Sequence, residues 1–337
     1  MAGASAPSHW AERNATARLL LPLAGLYGGI AGLRRWCYRR RWLSVRHATR
    51  PVIVVGNIAA GGSGKTPVVI WLAQRLKAAG HVPGIVSRGY GRRERAVTVV
   101  APGMDAEAVG DEAVLIAHAT GCPMVVGADR PAAVDRLLAI RPDCSVVISD
   151  DGMQHYRMGR AAEIAVVDEA VLGNRWLLPS GPLREPVARL HEVDLVIFNG
   201  AASAALRDVV APVPAFAMRL VPGPVRRLDA TEAQSLASWR GRRVHAVAGI
   251  GRPQRFFEML AAHGVEPVPH AFGDHHRFAA GELDFAERLP ILMTSKDAVK
   301  CRSFAPAESW EVPVDADIDA AALNILVEKL ADGQSPA

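Results

Sequence analysis

Residues 51–80 read PVIVVGNIAAGGSGKTPVVIWLAQRLKAAG, and this stretch decides the fold. Pro51 to Gly56 is a short apolar, β-branched run of the kind that forms a strand buried on both faces. A glycine-rich loop follows, from Asn57 through Ala59, Ala60, Gly61, Gly62, Ser63 and Gly64 to Lys65 and Thr66. Apolar residues at helical spacing come next, and Gly80 supplies a C-terminal cap. Strand, loop ending in Gly-Lys-Thr, then helix is the context that gives a phosphate-binding loop its meaning. Glycines let backbone N–H groups wrap phosphate oxygens, and the helix N-terminus adds its positive dipole end. In such a loop Lys65 reaches the β- and γ-phosphates and the Thr66 hydroxyl ligates Mg²⁺. Ala59 occupies the position of the first glycine, and Gly61, Gly62 and Gly64 supply the flexibility.

A second apolar run, CSVVIS at 144–149, ends in Asp150-Asp151-Gly152. A carboxylate at the C-terminal end of a strand beside a phosphate loop holds Mg²⁺ directly or through water. An Asp-Gly turn accounts for Asp151-Gly152 but not for the whole cluster. Further strand-like runs lie at Gly84–Ser87, Met124–Val126, Val146–Ser149, Ile164–Val167 and Leu195–Phe198. They alternate with helical patterns at Glu112–Ala119 and Arg130–Ile140. The expectation is an α/β fold of the P-loop NTPase type, a mostly parallel sheet with helices on both faces. Pro212, Pro214, Pro222 and Pro224 mark a linker. After it, Val244–Ala248, a loop-to-helix segment GIGRPQRFFEML, a strand at Ile291–Thr294 and a closing helix at Ile318–Leu330 predict a smaller second α/β unit. The domain assignment is 1–47, 48–225 and 226–337.

The chain has 337 residues, is half apolar, and carries a net charge of +5. That length allows two domains with sizeable cores. The charge is mild, and no lysine-rich tail or aromatic RNA-binding signature accompanies it, so nucleic acid is not an expected partner. Cys37, Cys122, Cys144 and Cys301 form no C-x-x-C pair, which fits a reducing compartment better than a disulfide framework or a zinc ribbon.

Near the N-terminus, LLLPLAGLYGGIAGL at 19–33 is apolar and uncharged. It is shorter than the roughly 20 residues needed to span a bilayer. Pro22, Gly25, Gly28, Gly29 and Gly32 make it a poor isolated helix in water. Arg34, Arg35, Arg39, Arg40 and Arg41 follow, interleaved with Trp36, Tyr38 and Trp42. A secretory signal would carry its positive charge before the apolar run. A helix buried on the main domain and an interfacial membrane anchor remain, and the two can coexist. The anchor is the preferred reading, with arginines at anionic headgroups and aromatic rings at the boundary.

Beyond these local signals, an ordered set of stretches resembles the tetraacyldisaccharide 4'-kinase family of lipid A biosynthesis. They are VVGNIAAGGSGKTPVV, VSRGYGRR at 86–93, VGDEAVLIA at 109–117, ISDDGMQHYRMGR at 148–160, GNRWLLPSGPLRE at 173–185, GIGRPQRFF at 249–257, FGDHH at 272–276 and TSKDAVKC at 294–301. The resemblance runs through nearly the whole chain. It implies an ATP-dependent kinase acting on the 4' hydroxyl of an acylated disaccharide glycolipid, with ATP and Mg²⁺ as cofactors. It also implies a cleft between two α/β domains, an N-terminal membrane-contacting helix, and a peripheral place at the cytoplasmic face of the inner membrane. By motif, Asp111 is implied as the catalytic carboxylate and His275 as its partner, with the base and orienting roles open between them. Asp150 and Asp151 are implied as the metal pair. Arg88, Tyr90, Glu112, Gln154 and His155 are implied to line the substrate side. Three positions depart from the family pattern: Ala59 where Thr is frequent, Ala113 where Pro is usual, and Ser295 where Glu is common. A membrane-associated P-loop ATPase switch is the alternative, but its signature lysine would fall at Ala60. A GTP-binding regulator would need N-K-x-D, which Ser295-Lys296-Asp297 does not supply.

Overall fold

The computed structural model describes residues 7–92 and 95–332. Arg93, the last residue of the VSRGYGRR stretch, and the ends of the first and last expected segments lie outside the described residues.

Eight strands in chain order begin the large sheet: β1 (Val52–Gly56), β2 (Pro83–Ser87), β3 (Thr98–Val100), β4 (Met124–Val126), β5 (Val146–Asp150), β6 (Ala162–Val167), β7 (Leu195–Asn199) and β8 (Ala215–Pro222). Six more, β9 (Val225–Arg227), β10 (Ala233–Gln234), β11 (Arg243–Ala248), β12 (Glu266–Ala271), β13 (Ile291–Thr294) and β14 (Ser309–Val312), form a second sheet. β15 (Val314–Ile318) then returns to pair antiparallel with β8. The large sheet has the order β15-β8-β7-β6-β1-β5-β2-β4-β3, and the small one β10-β9-β14-β13-β11-β12. β1 sits centrally, parallel to both β5 and β6, in register Val55 to Asp150 and Val55 to Ile164.

The helices are α1 (Ala15–Leu19), α2 (Leu21–Arg39), α3 (Lys65–Ala78), α4 (Ala106–Val109), α5 (Asp111–Thr120), α6 (Arg130–Ile140), α7 (Ala204–Val210), α8 (Pro253–Ala262), α9 (Ser295–Cys301) and α10 (Ala321–Asp332). Alternation along β1 explains the layering. Ile53 and Val55 pack into a core with Leu72 and Leu76 of α3 and Ile116 of α5. Val52 and Val54 face the opposite core, with Leu137 of α6 and Leu206 of α7. The small sheet has its own core around Trp239, Phe257, Leu260 and Trp310.

Two expectations change. The proline-flanked segment at 212–224 is not only a linker, because Ala215–Pro222 forms β8 and pairs in parallel with β7. The closing helix exists as α10, but Ala322, Leu326 and Leu330 bury against the large-sheet core. The chain therefore crosses back, and residues 314–332 belong by pairing and packing to the first unit. Residues 21–33 of the 19–33 run are also helical, within α2, despite their glycines. Docking supplies what propensity lacks. Tyr27 Oη donates to the Arg184 carbonyl at 3.0 Å. A Cβ at Gly28 would come within 2.7 Å of Leu177 Cδ1, so the glycine permits the approach.

Candidate active site

The parallel strands end at one sheet edge, where open α/β sheets place their ligands. The loop after β1 is held from both sides. Asn57 Nδ2 donates to Ser63 Oγ at 3.1 Å, and Asn199 Nδ2, from the end of β7, donates to the Ser63 carbonyl at 3.1 Å. Ala60 N donates to the Pro182 carbonyl at 2.8 Å, and Ala59 bridges Leu183. Ala59 is buried in this contact. Gly64 has φ of 91°, and a Cβ there would lie 2.6 Å from Asn199 Nδ2. Lys65 and Thr66 open α3, so the loop backbone and the helix N-terminus face the same place.

Lys65 Nζ lies 3.4 Å from Asp151 Oδ1, and Arg184 Nη1 donates to both Asp151 oxygens at 3.1 and 3.2 Å. Burial would raise the Asp151 carboxyl, but the two cations outweigh it and hold it at about 2. Asp150, at the end of β5, accepts from Ser87 Oγ at 2.8 Å, while its Oδ1 is buried without a hydrogen-bond partner. Burial, then the charges of Glu112 and Asp151, push the Asp150 carboxyl up to about 6. A buried carboxylate oxygen with no donor is the group a cation satisfies. Among the described residues no cluster of three or more His, Cys, Asp or Glu side chains could hold a metal alone. A site built on Asp150, Asp151 and Thr66 would therefore need oxygens from nucleotide and water, the usual condition of Mg²⁺. The fully buried Arg130 donates to the Asp150 carbonyl at 3.3 Å and to the Gly127 carbonyl.

On the facing side, α5 and the loop after β12 bring Asp111 and His275 together. His275 Nδ1 and Asp111 Oδ2 are 2.9 Å apart. Asp111 is 7% exposed, and its Oδ1 accepts from Glu112 N at 2.9 Å. Burial would raise the Asp111 carboxyl, but the His275 hydrogen bond and the Lys296 charge hold it below the usual carboxylate range. His275 moves the other way: burial opposes its charge, and the bond to Asp111 outweighs that. Both Asp151 and His275 have left-handed backbone, with φ of 49° and 58°. Such conformations at non-glycine residues persist where the surroundings hold them and gather at functional sites. Glu112 is the link between the two halves. Its charge acts on Asp150, and its Oε1 lies 3.3 Å from Lys296 Nζ.

The remaining expected residues are placed unequally. Tyr90 is 61% exposed, with its ring centroid 5.0 Å from that of His275. Arg88 is exposed and near enough to His155 to depress it electrostatically. Burial, then the charges of Arg130 and Arg88, push His155 down to about 4, so it is neutral at pH 7. Gln154 points inward: Nε2 donates to the Asn57 carbonyl at 3.0 Å and to Glu185 Oε1 at 2.7 Å, tying the phosphate loop to the segment before Glu185. Sequence reasoning did not single out Lys296, Arg184, Ser87, Asn57, Asn199 or Arg130. Lys296, Arg184, Ser87 and Asn57 lay inside quoted stretches, but nothing local marks their partners. Asn199 carries no sequence signal at all.

A family model described as tetraacyldisaccharide-1-P 4'-kinase matches residues 16–331. The chain belongs to that family. Two tetraacyldisaccharide 4'-kinases are similar over nearly full length. The protein from Aromatoleum aromaticum is 54% identical over 336 residues, covering 99% of each chain. That from Alkalilimnicola ehrlichii is 50% identical over 329 residues, covering 96% of each. Among solved structures of the tetraacyldisaccharide 4'-kinase family, LpxK from Aquifex aeolicus in complex with ATP has a TM-score of 0.79. It is 26% identical and covers 94% of this chain and 99% of that one.

Proposed function

We propose that this chain transfers the γ-phosphate of ATP to the 4' hydroxyl of a tetraacyldisaccharide 1-phosphate in lipid A biosynthesis. The observation that carries the reading is the phosphate loop facing a hydrogen-bonded Asp111–His275 pair within a chain of this family. Phosphoryl transfer needs positioning, charge neutralisation and a destination for the acceptor proton. The loop from Ala59 to Thr66 holds the nucleotide phosphates, with Lys65 on the β- and γ-phosphates. Thr66, Asp150 and Asp151 would hold Mg²⁺, which would neutralise phosphate charge. Acceptor oxygen bonds to the γ-phosphorus as the bond from phosphorus to the bridging β–γ oxygen breaks, and ADP leaves. The hydroxyl proton passes to the Asp111 carboxylate, which His275 orients. On this reading Arg88, Tyr90, Glu112, Gln154 and His155 line the acceptor side, as the family resemblance implies.

The acceptor is a glycolipid, and α2 suits a visit to the membrane. Leu19 is 80% exposed, and Leu23, Leu26, Ile30 and Leu33 extend the exposed apolar face at helical spacing toward the arginine cluster. No described helix is long and apolar enough to cross a membrane. On this reading the enzyme is peripheral at the cytoplasmic face of the inner membrane, with the exposed face of α2 in contact with lipid. The phosphate loop belongs to 48–225, and residues 226–337 supply His275 before the return at 314–332. Mass spectrometry and ³¹P NMR of the lipid product test the reaction. One added phosphomonoester at the 4' carbon is expected; phosphate on any other atom would contradict the assignment.

A further inference from the structure

Asp297 and Lys300 lie one turn apart on α9, the helix that follows β13. The Asp297 side chain is fully buried and that of Lys300 is 10% exposed, with Nζ 2.7 Å from Asp297 Oδ1. Two charges leave water only at a cost, and removing one partner of such a pair is felt strongly. Both ends of this pair hold loops of the site. Asp297 Oδ2 accepts from Gly249 N, just after β11, at 2.8 Å and from Thr294 Oγ1 at 2.6 Å. Lys300 Nζ donates to the His276 carbonyl at 3.1 Å and lies 5.0 Å from the centroid of the Phe278 ring.

His276 closes the turn that carries His275. The Gly273 carbonyl accepts from His276 N at 3.1 Å, and Asp274 Oδ1 accepts from His275 N at 3.0 Å. Between them His275 takes its φ of 58°. A left-handed conformation at a residue other than glycine is disfavoured and persists where the surroundings impose it. Here they are a knot of three rings, Phe272, His276 and Phe278, with each pair of centroids 4.8 Å apart, and the Lys300 ammonium on the His276 carbonyl. His276 Nε2 is taken up by Glu282 at 3.0 Å, so the second histidine of Asp274-His275-His276 belongs to the anchor of the turn. The His275 ring itself faces Asp111, Asp274, Lys296 and Tyr90.

We propose that Lys300 is a positioning residue for phosphoryl transfer: paired with the buried Asp297, it clamps the His276 carbonyl and so fixes the turn that sets His275 against Asp111. The proposal rests on the kinase reading for its purpose, but the placement of His275 can be read without any turnover. A misplacement of about 1 Å at a reacting group costs on the order of 100-fold in rate, so a clamp outside the reacting groups has a measurable task. It also gives Asp297 and Lys300 of the 294–301 stretch a shared role that neither has alone.

Titrations followed by ¹H–¹⁵N spectra of histidine-labelled full-length protein read that placement, with the His275 signals assigned by their loss in His275→Gln. Wild-type His275 is expected to titrate above the ordinary histidine value, since burial opposes its charge and the bond to Asp111 outweighs burial. Lys300→Met keeps the bulk and removes the donor. It is expected to bring the His275 midpoint down toward the ordinary value and to lower kcat with the lipid acceptor about 30-fold, with KM for ATP within about threefold. Loss of a positive charge alone would move the midpoint upward, so the direction separates a displaced ring from a changed field. Lys300→Arg keeps charge and donors and is expected to restore the midpoint and most of kcat. Lys300→Gln keeps an amide donor, is expected to lie between Met and Arg, and takes the place of the Met variant if that does not fold. An unchanged or raised midpoint, or an unchanged kcat, in folded Lys300→Met or Lys300→Gln would overturn the proposal and leave a structural ion pair only. Failure of the kinase reading shows elsewhere, as wild-type protein whose His275 midpoint behaves as expected but which transfers no phosphate to lipid.

Discussion

Asp150 and Asp151 are neighbours in sequence with opposite electrostatics. Asp151 sits between Lys65 and Arg184, whereas Asp150 has one hydroxyl donor and an orphaned oxygen. The folded Asp150 carboxyl keeps its proton up to about pH 6, while an unfolded one releases it near 3.8. The folded state thus binds more protons between those values, and its stability falls as pH rises through that window. The difference amounts to about 3 kcal/mol. Asp150→Asn should therefore raise Tm at pH 8 in metal-free buffer and leave it unchanged at pH 4. Mg²⁺ with ATP should raise Tm in the wild type and much less in the variant, as read by calorimetry. Lys65→Ala should lower kcat/KM at least 100-fold, the order of loss seen when a donor to developing charge is removed. At this scale the sequence was informative wherever a role follows from local pattern. Gly64-Lys65-Thr66 announces its chemistry by spacing alone. Asp111, His275 and Lys296 do not, because their meaning lies in contacts between residues more than 160 positions apart. Only the family resemblance brought Asp111 and His275 forward.

Among the elements, α2 shows what propensity can and cannot say. Four glycines and a proline argue against a helix in water, and the chain forms one because a docked face offsets the cost. Pro22 lies in the first turn, where its missing N–H matters least. Leu177 meets Gly28 and the Arg184 carbonyl takes Tyr27 on the docked side, while Gly25, Gly29 and Gly32 are exposed like the leucines. Leu26→Glu combined with Ile30→Glu should reduce co-sedimentation with anionic vesicles several-fold while leaving transfer to a detergent-dispersed acceptor within about twofold. Equal sedimentation of variant and wild type would remove α2 from membrane contact. The strands were legible because each central one is a short β-branched run buried on both faces. β8 was not, since its residues are mostly exposed and prolines flank it, so its pairing with β7 and β15 leaves little trace in hydropathy.

Across the whole molecule, the two sheets are coupled by charge as well as by the chain. Asp168, at the end of β6, is 2% exposed and takes Arg252 at 3.0 Å and Arg255 at 2.8 Å, both from the start of α8. The arginines are partly in water and the aspartate is not, so the pair is asymmetric. Removing both arginines leaves a buried carboxylate uncompensated and should cost about 3 kcal/mol. Asp168→Asn leaves two solvated cations and should cost less, about 1 kcal/mol, in urea unfolding. The return of β15 and α10 to the large sheet, invisible to a linear reading of domains, means that the small unit is inserted between two parts of the first. A clamp and two chain connections together hold His275 and Lys296 over α5. Phosphate transfer from γ-³²P-labelled ATP to tetraacyldisaccharide 1-phosphate in detergent micelles tests the central claim most directly, comparing wild type with Asp111→Asn. Label in the lipid with the wild type, lost at least 100-fold in the variant, is the predicted result. Wild-type protein that binds and hydrolyses ATP but leaves the lipid unlabelled would contradict it and point to an ATPase switch.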